Sequence, residues 1–225
     1  MTTDAKTFDD KYRNRLDKLS TTNISDAMDK IGLRGAVIGI RPMYKCPKII
    51  GRAVTIKVTA VGTNRPKYHG AVRAIDAASP GDVITVDNRG DMNNNGWGEI
   101  VSMAAKMKGV SGVIVDGAVR DIDACEEIGF PVYARGATPL TARGRLMEES
   151  FNEPVRIGDI YVRPGDPVIA DGSGIVIIPI ERIEDVLKAA EEIYEKEQAM
   201  LDELRKGVPV LEVDQKYSYD TMLNK

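Results

Sequence analysis

The chain has one histidine, His69, and two cysteines, Cys46 and Cys125, which stand far apart and in no C-x-x-C spacing. That scarcity excludes a histidine-rich metal site, a disulfide framework and a zinc-binding module. It leaves two small thiols suited to a reducing compartment and to buried structural positions. With a single imidazole and no Gly-x-Ser-x-Gly elbow, the parts of a Ser-His-Asp hydrolase are missing. Aromatic residues make up only 5% of the chain, so its core must be filled by Val, Ile, Ala, Leu and Met. No apolar run approaches the roughly 20 residues that span a bilayer, and Met1 to Asp10 is polar and acidic, without an apolar leader core. A net charge of -3 gives no electrostatic reason to expect nucleic acid or an anionic membrane as partner. The expectation is a cytoplasmic globular protein that meets neither.

What is present is 225 residues, 43% hydrophobic and 29% charged, enough for one large domain with its own core. Apolar spacing predicts a helix over Asp9–Leu19 and, after Thr21-Thr22-Asn23 as cap, a second over Ile24–Ile31 stopped by Gly32. Strands are predicted at Val37–Ile40, Lys48–Ile50 and Ala53–Val61, where Val54, Ile56 and Val58 alternate with Thr55, Lys57 and Thr59. A short helix over His69–Ala78 precedes the turn Pro80-Gly81-Asp82 and the strand Val83–Val86. Next come a helix over Gly96–Lys108, a buried strand at Val113–Val115, a helix over Ile122–Ile128 and a strand at Pro131–Ala134. Ile157-Gly158-Asp159 and Pro164-Gly165-Asp166 repeat the earlier turn chemistry rather than a phosphate loop. A strand at Ile175–Ile178 leads into a long helix from Pro179 and Glu181 to Lys206. No linker divides the chain, so we expect one α/β domain over residues 1–225. Its apolar tail, 206–225, is expected to dock on a surface, that of a neighbouring subunit included.

Chemistry concentrates between Gly98 and Asp121. Gly96-Trp97-Gly98 opens a helix and leaves the amides of Gly98, Glu99, Ile100 and Val101 without intrahelical partners, a ready site for a substrate carboxylate. The strand ending at Asp116-Gly117 delivers Arg120 and Asp121 where functional groups of α/β folds gather. Breaking a C–C bond next to a 2-oxo group leaves an enolate, whose charge an arginine or a divalent metal can hold. Asp121 would be the ligand of Mg²⁺ or Mn²⁺, Arg120 the electrophile, and Glu99 a second carboxylate to orient water or move a proton. An Arg-Asp pair beyond a strand is equally an ordinary surface ion pair, and a glutamate in a first helical turn equally complements the dipole. Trp97 either lines the site or packs beneath the turn. Asp91 to Asn95 reads as a polar loop able to move and admit substrate. His69 is expected in a surface or supporting role, with proton transfer left open. Arg135 reads as an ion-pair partner, and Asp87 and Asp116 as turn caps or supporting groups.

Val115-Asp116-Gly117-Ala118-Val119-Arg120-Asp121, with Phe130-Pro131-Val132-Tyr133-Ala134-Arg135-Gly136 after it, resembles the regulator of ribonuclease activity A-like (RraA-like) superfamily. That superfamily includes the 4-hydroxy-4-methyl-2-oxoglutarate aldolases. The likeness runs from Ser25-Asp26-Ala27-Met28 and Gly51-Arg52-Ala53-Val54-Thr55 to Ile178-Pro179. The aldolases carry an acidic residue, twenty intervening residues, then Arg-Asp, and Glu99, Arg120 and Asp121 keep that spacing. The resemblance implies a metal ligand at Asp121, an enolate-stabilising Arg120, Glu99 near metal-bound water, and a carboxylate grip at Gly98–Val101. It also implies a swivelling β/β/α domain in a homotrimer or homohexamer. Two positions depart from the pattern: Glu99 stands where the aldolases usually have Asp. Asp26 stands where they tend to have a Glu that reaches a neighbour's site. The implied function is a metal-dependent lyase that splits a small pyruvyl-type 2-oxo acid by retro-aldol reaction or decarboxylation. The alternative is a non-catalytic ring that binds and inhibits a ribonuclease.

Overall fold

The structure, a computed structural model, describes residues 8–63 and 71–218. Its helices are α1 (Asn14–Asp17, preceded by a wider helical turn at Asp9–Arg13), α2 (Thr21–Lys30), α3 (Val72–Ala77), α4 (Glu99–Met107), α5 (Ile122–Ile128), α6 (Ile183–Arg205) and α7 (Val210–Tyr217). Its strands are β1 (Ala36–Val37), β2 (Arg41–Pro42), β3 (Ile49–Ala60), β4 (Val83–Asn95), β5 (Gly112–Val119), β6 (Val132–Ala137), β7 (Leu146–Phe151), β8 (Val155–Ile157), β9 (Ile160–Val162), β10 (Pro167–Asp171) and β11 (Gly174–Ile177). They form a mixed α/β architecture. Among the described residues the main sheet runs β1-β11-β10-β3-β4-β5-β6-β2, with β7 also paired to β3.

Strands β3 to β6 are parallel to one another, and β10, β7 and β2 join them antiparallel. Alternation along these strands separates two cores, because successive side chains face opposite sides of a sheet. Val113 and Val115 join Ile84, Val86, Val132, Trp97 and Phe130 under the helices α3 to α5. Ile114 points the other way, with Val83 and Tyr133, beneath the β8–β9 hairpin. A third cluster packs Leu16, Ile24 and Met28 against Val186, Leu187 and Ile193 of α6 and Ile169 and Val176 of the sheet. β5 is buried along its whole length, which explains its unbroken apolar start.

Several sequence expectations need correction. The cap of α2 is Ser20, whose hydroxyl accepts from the Asn23 amide while the Asn23 side chain accepts from the Ser20 amide, so the helix starts at Thr21. Val37–Ile40 supplies only the end of a two-residue strand, because Gly39 at φ +82° turns the chain away. Lys48–Ile50 and Ala53–Val61 form one continuous strand, β3. The strand expected at Val83–Val86 extends to Asn95, since Asp91 and Asn95 return to pair with Gly117 and Ala118. The long helix begins at Ile183, after a 3₁₀ turn at Ile180–Arg182. The described part of the tail docks on its own long helix: Val213 is buried, and Lys216 and Tyr217 both bond Glu203. His69 lies outside the described residues. No helix among them is long and apolar enough to cross a membrane.

Candidate functional site

Past its bulge, β5 is flanked not by a regular strand but by the short run Asn95–Trp97. The Gly96 amide donates to the Ala118 carbonyl at 2.8 Å, and the Arg120 amide to the Trp97 carbonyl at 3.0 Å. The Asn95 amide group holds the same Trp97 carbonyl at 3.2 Å. This ladder sets the first turn of α4 directly against Arg120 and Asp121, although more than twenty residues separate them in sequence.

Gly98 is the N-cap of α4 and offers no capping side chain. The first amides of the helix therefore look outward to whatever lies beyond them. The Glu99 amide donates to Asp121 Oδ2 at 3.2 Å. A side chain at 98 would not fit: a Cβ there would lie 2.7 Å from Asp121 Oδ2 and 3.2 Å from Arg120 Cγ. Asp121 itself sits at φ +58°, in the left-handed region that aspartate enters more readily than most non-glycine residues. Its carboxylate meets the Glu99 amide of α4.

Arg120 Nε lies 3.2 Å from Asp121 Oδ2, with the two side chains 26% and 36% exposed. The approach is not aligned for a hydrogen bond, so Nε is a buried donor without an acceptor among the described residues. Asp121 Oδ1 likewise receives no hydrogen bond there. An ion pair with unused capacity on both partners is a poor stabilising device and a good receptor for a third group. Glu99 and Ile100 are exposed, and Val101 is half-buried. Gly98, Glu99, Ile100, Val101, Arg120 and Asp121 all border one cavity of about 260 Å³. Glu99, Arg120 and Asp121 also face an adjoining, more open hollow.

Trp97 packs beneath the turn: it is 1% exposed, stacks on Phe130 with centroids 6.1 Å apart, and donates Nε1 to Ser102 Oγ at 2.8 Å. The Asp91–Asn95 stretch is tied down by Asp91, which accepts from the Asn93 amide and the Asn94 side chain, and by Asn88, which donates to the Asn94 carbonyl. Arg135 pairs with Asp116, whose other oxygen accepts from the Gly158 amide at 2.7 Å. Asp87 takes the amides of Arg89 and Arg156. Those three anchor a separate cleft of about 870 Å³ under the hairpin. Asp26 is half-buried on α2, where burial, then Glu197 and Asp29, push its carboxyl up. Sequence reasoning missed Ser102 and gave Asn95 to a mobile loop, because neither residue type announces a buried structural bond.

Among the described residues no three His, Cys, Asp or Glu side chains converge on a metal cage. A cation held there would be of the hard, water-keeping kind, bound through one carboxylate and the substrate's own oxygens, as Mg²⁺ commonly is. The free Asp121 Oδ1 fits that donor set, and the outward amides fit the carboxylate of a substrate that would supply the remaining oxygens.

Known proteins share this architecture. Residues 21–177 match the RraA-like family, described as Aldolase/RraA. A Halalkalibacterium halodurans protein named "Putative 4-hydroxy-4-methyl-2-oxoglutarate aldolase" is 36% identical over 181 residues, 80% of this chain and 82% of that one. Protein DlpA of Legionella pneumophila is 28% identical over 94% of this chain, which spans 35% of DlpA's length. The crystal structure of an uncharacterized protein from Pseudomonas syringae pv. tomato superposes with a TM-score of 0.80 at 27% identity. The match covers 89% of this chain and 96% of that one. The chain belongs to the RraA-like family.

Proposed function

We propose that this protein is a divalent-metal-dependent carbon–carbon lyase acting on a small pyruvyl-type 2-oxo acid. The observation that carries the reading is the half-satisfied Arg120–Asp121 pair facing the uncapped start of α4. In this reading the amides at the start of α4 bind the substrate carboxylate, where the helix dipole favours an anion. Arg120 directs its guanidinium at the 2-oxo oxygen and holds the negative charge that develops when the C3–C4 bond breaks. The electron pair of that bond moves into the C2–C3 enolate, which then takes a proton at C3 to give pyruvate. In a retro-aldol cleavage the 4-hydroxyl proton must leave, and in this reading Glu99 receives it directly or through one water. Mg²⁺ or Mn²⁺, held by Asp121, would supply a further positive charge for the enolate. Relatives that carry the name "Putative 4-hydroxy-4-methyl-2-oxoglutarate aldolase" support this class.

The same reading includes assembly as a homotrimer or homohexamer. Ile100, Met103 and Met107 form an exposed apolar stripe along α4, beside the site. Light scattering after gel filtration tests it, a monomeric mass being the contrary result. The chemical test is pyruvate release from oxaloacetate and from 4-hydroxy-4-methyl-2-oxoglutarate with Mg²⁺, abolished by EDTA. If neither substrate turns over and Arg120→Ala leaves 2-oxo acid binding unchanged, the lyase reading fails. Ribonuclease inhibition assays then test the regulatory alternative.

A further inference from the structure

Ser102 has no part in the chemistry above, yet it occupies a buried junction between the two halves of the site. Its side chain is 0% exposed. Its hydroxyl lies 2.8 Å from Trp97 Nε1, 3.0 Å from the Gly98 carbonyl and 3.3 Å from Cys125 Sγ. Its own amide also donates to the Gly98 carbonyl, at 3.1 Å.

A hydroxyl has one hydrogen and two lone pairs. Indole Nε1 can only donate, so it takes one lone pair. The Gly98 carbonyl can only accept, so it takes the hydrogen. The remaining lone pair faces the Cys125 thiol, which can reach it only as a donor and whose single hydrogen also has the Arg120 carbonyl at 4.0 Å. All three valences are filled, and each leads to a different part of the site. Trp97 precedes the turn and, through its carbonyl, holds the Arg120 amide. Gly98 caps α4. Cys125 lies in α5, whose cap is Asp121.

We propose that Ser102 is a positioning residue that locks the α4 amides to the Arg120–Asp121 corner. The inference rests on the lyase reading for its consequence but not for its geometry. Alanine is a better helix former than serine, so Ser102→Ala keeps the helix while orphaning a buried indole N–H.

The test uses the full chain and two readouts. Trp97 is the only tryptophan, so its emission reports the junction directly. Titrated with pyruvate and Mg²⁺, Ser102→Ala should bind about tenfold more weakly than wild type, the effect of losing one buried hydrogen-bond partner. Hydrogen exchange should accelerate together in segments 98–107 and 120–128. An Ile169→Val control, placed in the core under α6, should leave both segments protected. Binding within twofold of wild type, with exchange no faster than in the control, overturns the proposal. If wild type binds no pyruvate, the lyase reading falls, and the exchange data alone still decide whether Ser102 couples the two segments. If Ser102→Ala does not fold, Cys125→Ala takes its place: it should accelerate exchange in both segments, and Cys125→Ser should restore protection. No change in Cys125→Ala overturns the lock.

Discussion

Two Arg–Asp pairs stand near the ends of neighbouring parallel strands, and they are built to opposite specifications. Arg135 and Asp116 are closely joined, the Asp116 side chain is 7% exposed, and its second oxygen takes the Gly158 amide. Gly158 belongs to the turn of the β8–β9 hairpin, so this pair clamps that hairpin to the sheet. Arg120 and Asp121 lie further apart, the Asp121 side chain is 36% exposed, and the pair leaves a guanidinium nitrogen and a carboxylate oxygen unused. The residue types are the same, but both Asp116 oxygens are engaged within the protein, whereas Asp121 keeps one oxygen and Arg120 one buried nitrogen for a ligand.

Mutation should split the two pairs cleanly. Arg120→Ala should lower kcat by about 10²–10³-fold, the usual loss of one charge-stabilising donor, with little change in melting temperature. Arg135→Ala should do the reverse, costing about 3 kcal/mol of stability by leaving the buried Asp116 carboxylate without its cation, while activity per folded molecule persists. Urea titration and steady-state kinetics on both variants decide it, and equal behaviour would erase the distinction. Gly98→Ala should reduce kcat/KM by about 10²-fold, because its methyl would displace the Asp121 carboxylate from the α4 amides. A variant with near-normal activity would show that this contact is not needed.

The smallest effect lies away from both corners. Burial pushes the Asp171 carboxyl up, but hydrogen bonds from Thr21, Ser173 and Gly174 outweigh it and leave the group below the ordinary carboxylate range. The unfolded chain then binds this proton more readily than the folded one. Its contribution is complete above the ordinary carboxylate range and is lost as pH falls through it towards the lowered value. Asp171→Asn should cost about 1–2 kcal/mol at neutral pH and nothing in strong acid, read from denaturation midpoints across pH.

Much of this was legible beforehand. The Gly-Trp-Gly turn, the apolar start of β5 and the Arg-Asp that follows declare themselves by residue type and spacing, and they converge on one cavity. The ion-pair role of Arg135 was also readable, though not the hairpin it clamps. What the sequence concealed depends on long-range pairing. Nothing local says that Asp91 and Asn95 return to β5, because a polar Asn-rich run looks like a mobile loop until its partners Gly117 and Ala118 are known. β7 is sparsely buried, and β8 and β9 are three residues each, too short for alternation to stand out in the sequence. Ser102 looks like any helical serine, and only the approach of Trp97 and Cys125 distinguishes it.

The most direct test of the account is a crystal structure of the protein with Mg²⁺ and pyruvate. The account predicts a cation about 2.1 Å from an Asp121 oxygen, the pyruvate carboxylate on the amides at the start of α4, and its keto oxygen facing Arg120. Pyruvate seated instead in the cleft beside Arg135 and Asp116, or a cation that bypasses Asp121, would contradict it.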